Sequence, residues 1–288
     1  MRSQWECLLQ NLGEWQGSFT RLSPQGELLE DTPTVVSLEG KNDNQTIRQV
    51  IRRFLPGNVD EKVLEYSSLG RGVLFFEDGA FSQGSMQWGP FSEFGAELGL
   101  IHGNRRLRLV QLFNQQASSN PSLTTTPDRL TLIREKLAGT DAPSRPHLTL
   151  DALLGEWRGE AVTLYPDLRS PDNYPTTLKL DCQHGNKLVQ QLTFGKGEST
   201  RTITSTATID GNLLYFDEGS SPVQVLLLPD GASATFPQEI KARQAFFLEV
   251  GWVVQPDLRT RMIRSYSDKG EWVSLTLVTE RKVTSAGG

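Results

Sequence analysis

The chain has 288 residues, with 29 Lys and Arg against 34 Asp and Glu, which gives a formal net charge of −5. Hydrophobic residues make up 37% and charged residues 22% of the chain, a composition typical of globular proteins that excludes a disordered chain. Neither half of the chain is basic, which argues against nucleic acid and against an anionic membrane surface as partners.

The N-terminal segment MRSQWECLLQNLGEW has neither the apolar core of a signal peptide nor the Arg- and Ser-rich composition of a transit peptide. No run of the sequence reaches the roughly 18 apolar residues that a membrane-spanning helix needs. The two cysteines, Cys7 and Cys182, stand at unrelated places and indicate reduced thiols. We therefore expect a cytoplasmic protein without membrane insertion.

The predicted elements begin with a short helix. Ser3 and Glu6 have the spacing of a capping box, which predicts a helix through Leu8 and Leu9. The phrase LGEWQG follows at residues 12–17. Alternating apolar residues between turn signals then predict short strands at residues 16–22, 34–38, 46–54, 72–76, 107–113 and 130–134.

The same phrase returns as LGEWRG at residues 154–159, after a second short helix whose predicted N-cap is Thr149. Five further blocks recur in the same order, among them VLFFEDG (73–79) and LLYFDEG (213–219). Ordered recurrence with small changes in offset indicates an internal duplication. The strands predicted in the second copy are residues 158–164, 176–180, 187–194, 202–209, 213–216, 224–228, 245–254, 261–266 and 272–279.

About eight strands in each copy favour an antiparallel meander that closes into a barrel. Residues 137–147 are rich in Pro, Ala, Ser and Gly and form the predicted linker. The predicted fold is therefore all-β, with two tandem antiparallel β-barrels, each preceded by a short helix. The predicted domains are residues 1–137 and 148–284.

A short helix, a Gly-x-Trp motif and a strand meander together resemble the lipocalin (calycin) pattern. Gly13-Glu14-Trp15 and Gly155-Glu156-Trp157 carry the motif. The resemblance implies that Trp15 and Trp157 plug the closed ends of the two barrels. It also implies that a basic residue near the last strand covers each indole, and Arg134 and Arg281 are the candidates.

The sequence shows no catalytic or metal-binding pattern, so we expect no enzymatic activity, no metal and no cofactor. His102, His147 and His184 lie far apart and lack the spacing of metal ligands. The nucleophile elbow of hydrolases and the phosphate-binding loop are both missing from the sequence.

Arginines on predicted strands are the candidate ligand- or partner-binding residues, because side chains two positions apart share one face of a strand. If this face lines a cavity, the arginines could clamp a carboxylate, as the interior Arg-x-Tyr of fatty-acid-binding proteins does. If the face meets solvent, they are ordinary surface charges, and both alternatives stay open. The candidates are Arg106 and Arg108, their counterparts Arg259 and Arg261, and the pair Arg264 and Tyr266.

The duplicated LGEW phrase, the strand-rich halves and the turns FFEDG and YFDEG resemble a cyanobacterial and chloroplast family of tandem lipocalin-like proteins. This family is related to the plant biogenesis factor required for ATP synthase assembly. The resemblance implies a non-catalytic, chaperone-like assembly factor whose partners are subunits of the ATP synthase catalytic sector. The alternative is a carrier of a small hydrophobic ligand, such as a fatty acid or a tetrapyrrole, including a protein like the phycobilin lyases.

Overall fold

The computed structural model describes residues 2–115, 124–183, 185–219 and 221–283, so His184 and residue 284 of the predicted second domain lie outside the described residues. It confirms the all-β fold class. The chain forms two compact units that do not follow the halves of the sequence strictly. Unit 1 comprises Met1–Met86, Phe94–Leu112 and Asp128–Ser144, and unit 2 comprises Gln87–Glu93, Phe113–Pro127 and Arg145–Gly288.

Two short helices stand where the sequence predicted them. Helix α1 (Gln4–Leu8) has the complete capping box, because Ser3 Oγ accepts from the Glu6 N–H and the Glu6 carboxylate accepts from the Ser3 N–H. A 3-10 turn, Leu9–Asn11, continues from it. Helix α2 (Leu150–Leu153) begins after Thr149, whose hydroxyl accepts from a backbone N–H of the first turn.

Unit 1 is built on a curled sheet. Its strands are β1 (Gly13–Leu22), β2 (Leu28–Lys41), β3 (Thr46–Leu55), β4 (Asn58–Tyr66), β5 (Val73–Phe75), β6 (Phe81–Gly84), β7 (Phe94–His102), β8 (Arg105–Gln115) and β9 (Thr124–Leu137). They lie in the order β4-β3-β2-β1-β9-β8-β7-β6-β5. Strands β4 and β5 are the two ends of this order, so the described strands form a half-barrel rather than the closed barrel that the pattern predicted.

Unit 2 contains a closed barrel of ten strands. They are β10 (Gly155–Leu164), β11 (Asp172–Gln183), β12 (Lys187–Phe194), β13 (Arg201–Asp210), β14 (Leu213–Phe216), β15 (Val223–Leu227), β16 (Ala232–Pro237), β18 (Phe246–Gln255), β19 (Leu258–Tyr266) and β20 (Trp272–Lys282). A short strand, β17 (Ile240–Lys241), pairs with the first two residues of β9. The pattern missed β16, because all six of its residues are buried and leave no alternation of polar and apolar positions.

The glycines of the repeated phrase have two different structural tasks. Gly13 and Gly155 adopt φ values of 125° and 105°, which L-residues with a side chain rarely adopt, and they turn the chain from the helical segment into the first strand of each unit. Gly17 and Gly159 lie so close to the last strand that a Cβ would stand 1.8 Å and 2.1 Å from a backbone oxygen of that strand. Both tasks require glycine.

The tryptophans of the phrase are buried in their units. Trp15 is 3% exposed and Trp157 is fully buried. Each indole N–H donates to a carbonyl four residues earlier in the chain, Asn11 O at 2.9 Å and Leu153 O at 2.8 Å. Because these carbonyls lie at the ends of the helical segments, each indole ties its helix to the core of its unit.

The cations over these indoles differ from the prediction. The guanidinium of Arg106 lies 4.5 Å from the Trp15 ring centroid, and that of Arg259 lies 5.3 Å from the Trp157 ring centroid. The Nζ atom of Lys282 is a second cation over Trp157, at 5.4 Å.

The prediction that Arg134 and Arg281 cover the two indoles is therefore wrong. Arg134 donates to Thr20 Oγ1 at 2.8 Å, and Arg281 forms an exposed ion pair with Asp257. The reason is strand alternation: Lys282 stands directly opposite Trp157 in the ladder and shares its face, whereas Arg281, one position earlier, points to the other face.

Replacing either buried indole is expected to destabilise its unit. Trp15→Ala and Trp157→Ala should each lower the free energy of unfolding by about 3–5 kcal/mol, because each empties a large aromatic site. Chemical denaturation followed by circular dichroism measures the change. Trp157→Phe, which keeps apolar volume but loses the hydrogen bond to Leu153 O, should cost less than Trp157→Ala, and unchanged midpoints in both Ala variants would contradict the assignment.

Candidate functional site

A buried network of arginines and glutamates joins three strands of unit 1. Glu135 on β9 accepts from Arg106 Nε at 2.7 Å and from Arg108 Nη2 at 2.8 Å, and both arginines lie on β8. Arg108 Nη1 also donates to Glu97 on β7 at 2.7 Å. The side chains of Arg106 and Glu135 are 3% and 0% exposed, so this network is shielded from water.

Unit 2 contains the same arrangement. Glu280 on β20 pairs with Arg259 and with Arg261, whose Nε lies 3.1 Å from the carboxylate. Arg261 Nη1 reaches Glu249 on β18 at 3.4 Å. In both units a carboxylate of the last strand therefore joins two arginines of the preceding strand, and a second carboxylate completes the network.

The charges of the network hold each other ionised. Burial raises the pKa of Glu135, but the neighbouring Arg108 and Arg106 outweigh burial, so the net pKa lies below that of an ordinary carboxyl group. The pKa of Glu280 is lowered in the same way, with burial opposed by Arg259 and Arg261. A buried pair of this kind is costly to break, because the remaining charge is left without compensation.

The predicted arginines therefore occupy interior positions, and the solvent-exposed alternative is wrong for them. Arg106 and Arg108 share a strand face as predicted, and so do Arg259 and Arg261. Sequence reasoning missed the carboxylates. The sequence did contain a signal for these carboxylates, because they recur in both copies. Glu97 and Glu249 are the first residues of one repeated block. Glu135 and Glu280 each lie five residues after the first leucine of another repeated block.

Arg264 and Tyr266 lie in a packed aromatic cluster of unit 2. Arg264 is fully buried, its Nε donates to Tyr266 Oη at 2.8 Å, and its guanidinium stacks 3.5 Å from the Trp272 ring centroid. Tyr266 in turn stacks on Phe246 at 4.7 Å, and Phe246 meets Trp88 edge to face at 6.4 Å. The structure brings the predicted pair together, but the pair lines none of the three cavities described next.

Unit 1 holds a cavity of about 730 Å³. Apolar and aromatic side chains form much of its wall, among them Phe19, Ile51, Leu64 and Phe75. Arg108 and Glu97 bring the buried ion network to its surface. The cavity has the volume and the mixed lining of a site for a small organic molecule.

Unit 2 holds two smaller cavities of about 320 Å³ and about 260 Å³. Both are lined by Leu192, Ile203, Phe247, Glu249 and Arg261, so they are neighbours within the barrel. Arg259 lines the larger one. The described interior of the barrel is therefore only partly filled by side chains.

Among the described residues, no three His, Cys, Asp or Glu side chains form a group that could hold a metal ion. Cys7 is buried, Cys182 is exposed, and both are free thiols. No helix in the described part of the chain is long and apolar enough to cross a membrane.

Removing the central carboxylate of unit 1 should destabilise the fold strongly. Glu135→Gln leaves Arg106 and Arg108 buried without their shared anion, so we expect a loss of about 3–5 kcal/mol at neutral pH. Glu65→Gln, which breaks exposed ion pairs to Lys41 and Arg48, is the control and should cost less than about 1 kcal/mol. Equal losses in the two variants would contradict the structural importance of the network.

The stability difference between wild type and Glu135→Gln should depend on pH. Because the pKa of Glu135 is lowered in the folded state, its contribution is complete above the ordinary carboxyl pKa and disappears as the pH falls through the lowered value. The gap between wild type and Glu135→Gln should therefore shrink on acidification below the ordinary carboxyl range. Urea denaturation at a series of pH values measures this gap.

Two family models match the chain in succession. Residues 1–140 match the N-terminal domain of DUF3598, a domain of unknown function. Residues 144–283 match the model described as the C-terminal domain of biogenesis factor required for ATP synthase 1. No protein among the curated ones matches the chain.

The solved structures that match the chain include distant ones. The S-type phycobiliprotein lyase CPES from Guillardia theta is 12% identical, with a TM-score of 0.37 over 47% of this chain and 90% of that chain. A mutant of transferrin binding protein B from Haemophilus parasuis is also 12% identical, with a TM-score of 0.24 over 92% of this chain and 59% of that chain. Similarities this low carry no argument about function.

A much more similar solved structure is that of a protein of unknown function from the DUF3598 family of Nostoc punctiforme. It is 56% identical and has a TM-score of 0.90, over 98% of this chain and 100% of that chain. Identity at this level over nearly the whole length shows that the chain belongs to the DUF3598 family.

Proposed function

We propose that the chain is a non-catalytic assembly factor of the ATP synthase, a lipocalin-like tandem protein that binds subunits of the catalytic sector before they join. The observation that carries the proposal is the match of residues 144–283 to the C-terminal domain of an ATP synthase biogenesis factor. The identity of 56% to a Nostoc protein supports a cyanobacterial origin, and the proposed location is the cytoplasm.

The interior charges are engaged with one another, which agrees with a non-catalytic protein. Arg108 donates through all three of its nitrogens to Glu135 and Glu97, so its guanidinium is committed to structural partners. Arg261 is held by Glu280 and Glu249 in the same way. The carboxylates and guanidinium groups of these networks are thus paired with one another, which does not favour a role as catalytic acid, base or nucleophile.

The proposal is tested with purified components. The chain is mixed with individually purified subunits of the ATP synthase catalytic sector and with the assembled enzyme, and the mixtures are separated by size-exclusion chromatography. An assembly factor should comigrate with at least one isolated subunit and be absent from the fraction of the assembled enzyme. Failure to comigrate with any isolated subunit at concentrations on the order of 10 μM would contradict the proposal, because a complex with a Kd of about 1 μM or lower forms at that concentration.

A second candidate function is a carrier of a small hydrophobic ligand, and the cavity of about 730 Å³ in unit 1 favours it. A fluorescent fatty acid should then bind saturably, and Val110→Trp, which fills part of the cavity, should weaken its binding by about tenfold or more. Val273→Trp, on an exposed position of the closed barrel, is the control. Binding of phycocyanobilin is tested in parallel through the shift of its absorbance. If neither the fatty acid nor phycocyanobilin binds, both ligand classes are excluded.

A further inference from the structure

The two units differ at one seam of their sheets. In unit 2, β13 and β14 are joined by Gly211 and Asn212 and pair antiparallel, with Thr208 opposite Tyr215 and Asp210 opposite Leu213. In unit 1, β5 carries the sequence that matches β14, but residues 67–72 separate it from β4. The described residues show no pairing between β4 and β5, so the longer connection coincides with an open seam.

The two borders of this seam are protected unequally. The side-chain amide of Gln4 covers the outer edge of β5, because it donates to Phe75 O at 2.9 Å and accepts from Phe75 N–H at 2.7 Å. Near the far end of β4, Trp5 meets Tyr66 edge to face at 6.3 Å. Among the described residues, no strand pairs with the outer edge of β4, which runs from Asn58 to Tyr66.

Exposed apolar side chains concentrate on this border. The hairpin β3–β4 presents five large hydrophobic side chains that are 36–51% exposed. Natural proteins usually shorten, cover or twist an open edge strand, because its unpaired backbone groups attract other strands. Leu55 and Leu64 also line the cavity of unit 1, whereas the other three belong to the opposite face of the hairpin, so an incoming strand would meet apolar side chains on both faces. The five residues are Phe54, Leu55, Val59, Val63 and Leu64.

The charged residues of β4 indicate which charge a partner strand should carry. Asp60 pairs with Arg53, Glu61 with Arg52, and Glu65 with cations of β2 and β3. Lys62 is the remaining charged residue of β4, and its ammonium makes no ion pair with any described residue. A carboxylate on an incoming strand would therefore find an uncompensated cation at Lys62.

A second copy of β4 matches the charges of this edge less well than a strand that places one carboxylate opposite Lys62. Antiparallel self-pairing about Lys62 places two lysines opposite each other, and pairing about Glu61 places two glutamates opposite each other. Pairing about Val63 places Glu61 opposite Glu65. Charge therefore disfavours the registers about Lys62 and Val63, whereas the register about Glu61 also sets Asp60 opposite Lys62.

We propose that the outer edge of β4 is a docking site for an extended strand of a protein partner. The incoming strand extends the sheet through backbone hydrogen bonds with Asn58–Tyr66, sets apolar side chains against Val63 and Leu64, and brings a carboxylate to Lys62. The inference rests on the proposed function only in that the partner is the client protein.

The first test uses the full chain and a synthetic peptide, Thr-Val-Val-Glu-Thr-Thr-Val-Thr, designed to pair antiparallel with β4. Hydrogen exchange followed by mass spectrometry should show slower exchange of the β4 amides when the peptide is added. Val63→Lys should weaken peptide binding by about tenfold or more, whereas Val273→Lys, equally exposed on a strand of the closed barrel, should leave it unchanged. Unchanged exchange in β4, or equal effects of the two variants, would overturn the proposal.

A charge reversal keeps the test decisive if Val63→Lys fails to fold. Lys62→Glu should weaken binding of the Glu-containing peptide. The same variant should bind tightly a peptide that has Lys in place of this Glu. Absence of this exchange of preference would overturn the role of Lys62. Sedimentation analysis of the wild type adds one further outcome, since a dimer that Val63→Lys dissolves would assign the edge to a second copy and overturn the proposal.

The isolated ATP synthase subunits separate this inference from the proposed function. If a subunit binds the wild type and binds Val63→Lys at least about tenfold more weakly, both stand. If a subunit binds both proteins equally, docking at β4 is overturned and the proposed function remains. If the peptide protects β4 while no subunit binds, the edge is supported and the proposed function fails.

Discussion

Each unit depends on an indole that is covered by a cation, which a buried carboxylate holds in place. In unit 1, Arg106 lies over Trp15 and donates to Glu135, while the indole N–H donates to Asn11 O. These contacts together join the end of the helical segment to the first strand and to the last two strands of the unit. Because the charges are sealed from water, they stabilise the fold only as a complete set.

The length of one connection separates a closed barrel from an open half-barrel. Strands β13 and β14 follow each other after a tight turn and complete the ring of unit 2. The same region of unit 1 has residues 67–72 in the connection and leaves β4 as an end strand. The two copies therefore differ: unit 2 forms a closed barrel, whereas unit 1 keeps an unpaired strand edge. The cavity of about 730 Å³ in unit 1 lies next to this edge and has Leu64 and Tyr66 of β4 in its wall.

The sequence predicts the features that local chemistry determines. The capping box at Ser3, the cap at Thr149 and several strand limits follow from propensity and alternation, and the repeated phrase predicts two similar units. Strand β4 could not be predicted, because nearly all its residues are exposed and its apolar and charged residues do not alternate. The cover over Trp157 required ladder register, which decides between Arg281 and Lys282 and which the sequence does not encode locally. The network carboxylates were visible as repeated letters, but their burial depends on strands far apart in the chain.

The amide of Gln4, which occupies the backbone groups of Phe75, has a consequence for self-association. Growth of a fibril by strand addition needs two unpaired strand edges on every molecule. One edge pairs with the molecule before it, and the other pairs with the molecule that is added next. In unit 1, the side chain of Gln4 occupies the outer edge of β5, which leaves β4 as the unpaired end strand of the described sheet. A sheet with one free edge and one blocked edge can pair once through the free edge but cannot propagate a continuous sheet from molecule to molecule.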